Sequence, residues 1–214
     1  VIEGTVLANS DVATPTGFAE DDDSSNGATI ARGDLATTIY AINGVVGAGP
    51  VCIGGVNDGN ACSTDSDCGG NRCLVQVEPG YTITYRLTYD LPSSDVEDFS
   101  FVDFLPLPVL LSPEVTSFVD TVSAAAPAAG TGKFGPDDTF RALSGIVPGV
   151  SSDAVANSLS LDFGTYDDPS DTPTIVDVLF TVTVTSDPFA DGLFLTNQAR
   201  AEESNTQSVP QATD

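Results

Sequence analysis

Two stretches of the chain alternate apolar and polar residues with a period of two, and this pattern limits the fold more than any other feature. In 81–89, tyrosine, isoleucine and leucine residues alternate with threonines and an arginine. In 176–184, valine and phenylalanine take every second position. A period of two is that of a β-strand with one buried face, and a run this rich in β-branched residues suits a central strand. Both segments are therefore predicted to be central strands of a β-sheet protein.

Further segments carry weaker strand signals and are separated by turns rich in Pro, Gly and Asp. These segments are 1–8, 34–43, 73–77, 99–105, 115–122, 158–163 and 193–201. Many short strands with such turns indicate an all-β protein, a sandwich of about nine strands of the Ig-like or jelly-roll-like kind. The one helical feature expected is a turn near 119–126.

Two segments interrupt this pattern. Residues 20–27 (EDDDSSNG) and 48–71 are small, polar and acidic, so both are expected to be surface loops. We therefore divide the chain into 1–33, an extended N-terminal strand with an acidic linker, and 34–214, a single sandwich domain. The sandwich domain carries a Cys-rich loop insertion at 48–73.

The insertion contains all four cysteines of the chain, which has no histidine: Cys52, Cys62, Cys68 and Cys73. Their spacing lacks the paired C-x2-C of a zinc knuckle, and no His is present to replace a thiolate ligand. Two disulfides local to the loop are expected, with three pairings open. Disulfides indicate an oxidising, extracellular location such as the cell surface.

The charge balance excludes several classes of partner. Six basic residues stand against 31 acidic ones, for a formal net charge of -25. Such a chain repels nucleic-acid phosphates and anionic lipids, and it contains no apolar run long enough to insert into a membrane. Bound cations would relieve the self-repulsion.

Calcium is the candidate cation, because Ca²⁺ takes six to eight oxygen ligands and two loops are crowded with them. The candidate ligands are Asp21, Asp22, Asp23 and Asn26 in the first loop, and Asp58, Asn60, Asp65 and Asp67 in the second. Neither loop matches the EF-hand calcium motif, so solvated acidic loops that aid solubility are the alternative. Weaker candidates are Asp137 and Asp138, and the group Asp167, Asp168 and Asp171.

No catalytic arrangement is predicted. Without His the usual general base at neutral pH is missing, and a Ser-His-Asp or Cys-His arrangement is impossible within the chain. A carbohydrate-binding or adhesive module of a large secreted protein, with a glycan or host-surface ligand, is the alternative to a structural role. Trp is absent, however, and the Tyr and Phe residues mostly fall at strand positions that a core needs.

The order of several short motifs resembles a known family. The pieces are IYAING at 39–44, VEPGYTITY at 77–85, VDFLP at 102–106 and LTNQA at 195–199. Together they resemble the DUF11-type repeat domains, close to the fimbrial isopeptide-forming domains, of bacterial and archaeal surface proteins. The resemblance implies an Ig-like β-sandwich used as a spacer, stalk or fibre unit.

Relatives of the isopeptide-forming type join a Lys on an early strand to an Asn on the last strand, aided by a buried carboxylate. Asn197 matches the acceptor position of that crosslink. Thr37 and Thr38 stand where the Lys would be, and the single lysine, Lys133, lies in a Gly-rich segment. This departure from the family pattern favours a hydrogen-bonded asparagine over a crosslink.

The N-terminal segment suggests how such a unit would assemble. Residues 1–8 have strand-like composition but precede the family resemblance and are separated from it by a mostly polar linker. We predict that this segment pairs with a sheet edge of the next copy, with Ile2, Val6 and Leu7 in apolar pockets. Head-to-tail contact of this kind propagates into a homopolymer, such as a pilus-like fibre. The alternative is that the segment folds back as an edge strand of its own domain.

Overall fold

The computed structural model of the 214-residue chain describes residues 6–9, 26–29, 35–93, 95–168, 172–186, 195–204 and 210–213. These ranges contain one α-helical turn, α1 (Phe140–Ser144), and two short 3₁₀ turns, Asp65–Cys68 and Ser112–Glu114. Their strands are β1 (Val6–Asn9), β2 (Asn26–Thr29), β3 (Leu35–Ile42), β4 (Val45–Val46), β5 (Val51–Ile53), β6 (Arg72–Leu74), β7 (Thr82–Leu91), β8 (Val96–Phe104), β9 (Ser117–Val122), β10 (Thr131–Phe134), β11 (Gly149–Asp153), β12 (Ser158–Tyr166), β13 (Thr174–Thr183), β14 (Gln198–Ser204) and β15 (Pro210–Thr213).

Two of the sheets form the sandwich. One sheet has six strands in the order β4-β3-β7-β13-β10-β9, and the other has five in the order β11-β12-β8-β14-β15. All pairs within them are antiparallel except β9 with β10, which is parallel. A single cluster of buried side chains draws members from both sheets, so they pack face to face. The all-β sandwich predicted from the sequence is confirmed.

The two predicted central strands lie side by side in the six-stranded sheet, where β7 and β13 pair along their whole length. Residues directly opposite each other in an antiparallel pair share a face. Tyr85 lies opposite Phe180, with ring centroids 5.5 Å apart, and both are buried in the core. The period-two pattern therefore identified the buried face correctly.

Aromatic rings of the facing sheet complete the core. Phe99 and Phe101 of β8 contact Phe163 of β12, with centroids 5.0 and 5.3 Å from it. Phe140 of α1 packs edge-on against Phe163. Burying an aromatic side chain of this size contributes on the order of 2 to 3 kcal/mol. The ring of Phe140, which is inserted into the core, thus anchors α1.

The predicted helical turn near 119–126 is wrong. Residues 117–122 form β9, and the helical turn is α1 instead. α1 ends at Gly145, whose φ of 66° is the left-handed conformation that glycine adopts without strain. β10 and β11 were not expected, because both are short, contain glycine and lack a clear alternation. The sandwich sheets accordingly have six and five strands rather than the nine expected in all.

The Cys-rich insertion is more ordered than the predicted loop. β5 and β6 pair in a separate two-stranded sheet, and the strand expected at 73–77 is limited to the three residues of β6. The disulfides join Cys52 to Cys68 and Cys62 to Cys73, so the predicted staple is confirmed and the pairing is decided. None of the described helices is long and apolar enough to cross a membrane.

Candidate functional site

A groove of about 380 Å³ runs between the two sheets at the side where β3 faces β14. Its lining residues are Leu35, Thr37, Thr196, Asn197, Gln198 and Ala199. β3 pairs with β7 on one side, and on the other it pairs with β4 only at Ala41 and Ile42. Within the described ranges, no strand covers the outer edge of β3 from Leu35 to Ile39. The groove and this unpaired edge lie together at one side of the sandwich.

A buried carboxyl lies under the groove. Asp103 of β8 is 1% exposed, and its Oδ2 accepts a hydrogen bond of 2.9 Å from Nδ2 of Asn197. Oδ1 of Asp103 and Oδ1 of Asn197 are both buried without a hydrogen-bond donor. Burial raises the pKa of Asp103 from 3.8 to about 7, although the hydrogen bond from Asn197 acts in the opposite direction. Burial, with a smaller contribution from Asp103, also raises the pKa of Tyr85.

The sequence did not single out Asp103, although its position carried a signal. Phe99, Phe101, Asp103 and Leu105 occupy successive inward positions with a period of two, and an acid in such a row must be buried. Asn197, by contrast, was predicted to be hydrogen-bonded. The structure places it beside a carboxylate from a strand that is distant in the sequence, which only the sheet pairing could reveal.

The chain's one lysine is elsewhere. Lys133 lies on β10, and its Nζ donates a 2.6 Å hydrogen bond to Oγ of Ser123. On β3, Thr37 lines the groove and Thr38 lies opposite Arg86. The structure therefore pairs Asn197 with Asp103 and places no lysine beside it.

A second polar cluster lies on the other face of the six-stranded sheet. Arg86 of β7 binds both oxygens of Asp177, at 2.8 and 2.7 Å, and it also binds Asp137. Asp177 is fully buried, and its hydrogen bonds help to raise the pKa of Arg86. Asp138 accepts hydrogen bonds from the backbone N–H groups of Asp177 and Arg141, while burial raises its pKa to about 6. The carboxylates of Asp137 and Asp138 thus bind donors of the protein itself and link neighbouring segments.

The acidic side chains of the Cys-rich loop bind backbone N–H groups. Asp58 accepts from Gly54, Asp65 accepts from Cys73, and Oδ2 of Asp67 accepts from two neighbouring residues. The hydrogen bonds from Ser63 and Thr64 lower the pKa of Asp67. Asn60 bonds through its backbone to Cys52 and Asn57. In the described part of the chain, no three carboxylates bring their oxygens within 4.8 Å of one another.

The other candidate ligands are placed as follows. Asp168 accepts from the backbone N–H of Thr172, and its own N–H donates to Asp95. Only the backbone of Asn26 is described, in β2, while Asp21, Asp22, Asp23 and Asp171 lie outside the described residues. Calcium binding remains a prediction.

Within the described ranges, the aromatic side chains offer no exposed platform for a sugar. All that the structure describes are buried or half-buried, and the half-buried ones are Tyr40, Tyr81, Phe104 and Phe118. Arg86 covers the ring of Tyr40, and Arg200 covers the ring of Phe104. Phe118 packs edge-on against Phe134. These rings stabilise the fold.

The predicted assembly strand is described in part. Val6 and Leu7 lie in β1, which pairs antiparallel with β2 from Val6 opposite Thr29 to Asn9 opposite Asn26. Ile2 lies outside the described residues. The β1–β2 sheet is separate from both sheets of the sandwich.

Comparisons with known proteins add a weak likeness. No family model matches the chain, and no curated protein sequence matches it significantly. Among solved structures, the chain is similar to BcpA, the major pilin subunit of Bacillus cereus, with a TM-score of 0.39 and 11% identity over 85% of this chain. A variant of that pilin gives a TM-score of 0.41 and 10% identity over 94% of this chain. The chain spans 38% and 50% of the two pilin chains, and likeness at this level does not by itself assign a function.

Proposed function

We propose that the chain is an extracellular structural subunit of a cell-surface filament that assembles head to tail by β-strand exchange. Residues 1–8 of one copy act as the donor strand, and an open sheet edge of the next copy is the acceptor. The observation that carries this proposal is the position of β1, which pairs with β2 outside both sheets of the sandwich. A strand in that position is available to a neighbour.

The β1–β2 pairing is weak enough to be exchanged. It consists of four residue pairs, and an isolated two-stranded sheet is marginally stable in water. An edge of a six-stranded sheet offers a longer ladder on a rigid base. Main-chain hydrogen bonds to such an edge give affinity, while alternate side chains give specificity. Exchange between copies then replaces a weak local pairing with a stronger one.

The sandwich suits a structural role outside the cell. Its core is continuous between two large sheets, and both disulfides fit an oxidising compartment. Donor and acceptor occupy different surfaces, so the contact is heterologous and propagates into a fibre instead of closing a dimer. A stalk or spacer of this kind needs no catalytic residues.

The test compares the parent chain with the double variant Ile2→Asp/Val6→Asp and the matched control Glu3→Gln/Thr5→Ser. Electron microscopy and sedimentation velocity measure assembly, and circular dichroism measures the melting temperature of the monomer. We expect the double variant to remain folded but lose its fibres, since an aspartate does not fit an apolar pocket. The control should assemble like the parent. A double variant that melts earlier yet assembles normally would show that the segment belongs to its own domain.

A further inference from the structure

The inward face of β3 is left uncovered at Thr37 and Ile39, unlike that of the strand beside it. Thr37 lies opposite Leu87 and Ile39 lies opposite Tyr85, so all four side chains share the face that points between the sheets. Leu87 is 0% exposed and Tyr85 is 6% exposed, whereas Ile39 is 40% exposed and Thr37 is also exposed. The space between the sheets is therefore filled under β7 but open under β3.

The facing strand leaves the same space empty. Ala199 and Ala201 of β14 lie opposite Asp103 and Phe101 of β8, which places both alanines on the inward face. Ala201 is buried in the core, whereas the methyl group of Ala199 is only half-buried and lines the groove. The groove of about 380 Å³ lies in the resulting gap, with Thr37 on one wall and Ala199 on the other.

Asn197 lines this gap, and Asp103, to which it is hydrogen-bonded, lies beneath it. Oδ1 of Asp103 and Oδ1 of Asn197 have no hydrogen-bond donor, and buried oxygens left without one are costly. The outer edge of β3 adds backbone groups that no described strand pairs with from Leu35 to Ile39. An extended peptide laid along this edge brings N–H donors as well as side chains to fill the gap.

We infer that the groove between β3 and β14 is the acceptor site for residues 1–8 of a second copy of the chain, an inference that rests on the proposed strand exchange. Alternate residues of this segment are Ile2, Gly4, Val6 and Ala8, a face that is apolar and narrow. It matches a groove that has the small side chain of Ala199 on one wall. The segment would add a strand to the six-stranded sheet at its β3 edge.

The edge at β9 lacks these features. Its inward residue Phe118 already packs against Phe134, with ring centroids 4.9 Å apart. Asp120 of the same strand is bound to Arg141. The inward aromatic residue of β9 is therefore already packed, and this edge supplies a control surface.

The test is binding of a fluorescein-labelled peptide of residues 1–9, VIEGTVLAN, to the full chain, measured by fluorescence anisotropy. Thr37→Arg places a long side chain in the groove, and Thr121→Arg makes the same change at an exposed position of β9. We expect saturable binding to the parent and to Thr121→Arg, and at least tenfold weaker binding to Thr37→Arg. Melting curves of both variants establish that each is folded.

Sedimentation of the unlabelled parent separates the two proposals. Fibres without saturable peptide binding, or with equal binding to Thr37→Arg, would retain the filament and overturn the groove as acceptor. Peptide binding that Thr37→Arg abolishes, in a parent that stays monomeric, would retain the groove and overturn the filament. Parallel loss of peptide binding and of fibres in Thr37→Arg alone supports both.

Discussion

Asp103 is a carboxyl placed where the core needs an apolar side chain, and its energetic consequence depends on pH. Burial raises its pKa from 3.8 to about 7, so the folded chain holds this proton more tightly than the unfolded chain does. Its contribution to the free energy of unfolding is therefore greatest at low pH. That contribution falls by roughly 4 kcal/mol as the pH rises from about 4 through about 7. A folded chain at neutral pH tolerates this cost because the surrounding core outweighs it.

The variant Asp103→Asn should remove this pH dependence, since an amide does not ionise. We expect the free energy of unfolding of the variant minus that of the parent to increase by a few kcal/mol as the pH rises from about 4 to about 8. Urea denaturation measures both values. Asp138, whose pKa burial raises to about 6, contributes equally to both proteins and cancels in the difference. Parallel stability profiles for parent and variant would show that another group sets the dependence.

Gly135 is a second residue whose identity the fold requires. A Cβ at this position would overlap the carboxylate of Asp177, which is buried and bound to Arg86. We expect Gly135→Ala to lower the free energy of unfolding by about 1 to 3 kcal/mol, the usual cost of overpacking. Gly149→Ala is the control, because its Cβ would meet only an ordinary contact at 3.8 Å, and its change should stay within about 0.5 kcal/mol. Equal effects of the two substitutions would mean that Asp177 moves aside freely.

At the scale of elements, the Cys-rich insertion behaves as a unit of its own. Neither Cys52 nor Cys68 belongs to the cluster of side chains that forms the sandwich core, although both are buried. The insertion is held by two disulfides, by the β5–β6 pairing and by backbone hydrogen bonds to Asp65 and Asp67. Its stability is therefore expected to be largely independent of the sandwich.

The double variant Cys62→Ser/Cys73→Ser tests this independence. Losing a disulfide between residues 11 apart should destabilise the insertion by about 2 to 3 kcal/mol, because the opened chain regains conformational entropy. Hydrogen exchange followed by mass spectrometry should show faster exchange in β5 and β6, with unchanged protection in β7. Faster exchange in β7 as well would indicate that the insertion supports the core.

At the scale of the whole molecule, the net charge of -25 favours cation binding. We expect 5 mM calcium to raise the melting temperature of the chelator-treated chain by about 3 °C or more, because a ligand that binds only the folded state stabilises it. Sodium chloride at matched ionic strength controls for charge screening. Substitution of Asp21, Asp22 and Asp23 by Asn should reduce this rise in melting temperature if residues 20–27 bind the ion. An unchanged melting temperature on re-adding calcium would contradict the prediction.

The sequence by itself determined the features that depend on near neighbours. The alternation in β7 and β13 identified both strands and their buried faces, because a strand reverses its side chains at every residue whatever it pairs with. Four clustered cysteines in a chain without histidine indicated two local disulfides, because all the bonding partners lie close together in the sequence. In both cases the necessary information lies within a short stretch of chain.

Only the tertiary structure decided which distant residues meet. Asp103 and Asn197 are 94 positions apart in the sequence, and no local signal indicates that their side chains share one hydrogen bond. β10 and β11 are strands because neighbouring strands accept their backbone groups, and the open groove exists because Ala199 faces Thr37 across the gap between the sheets. Such contacts depend on the register and packing of whole sheets, whose free energy is a sum over many residues that are remote in the sequence.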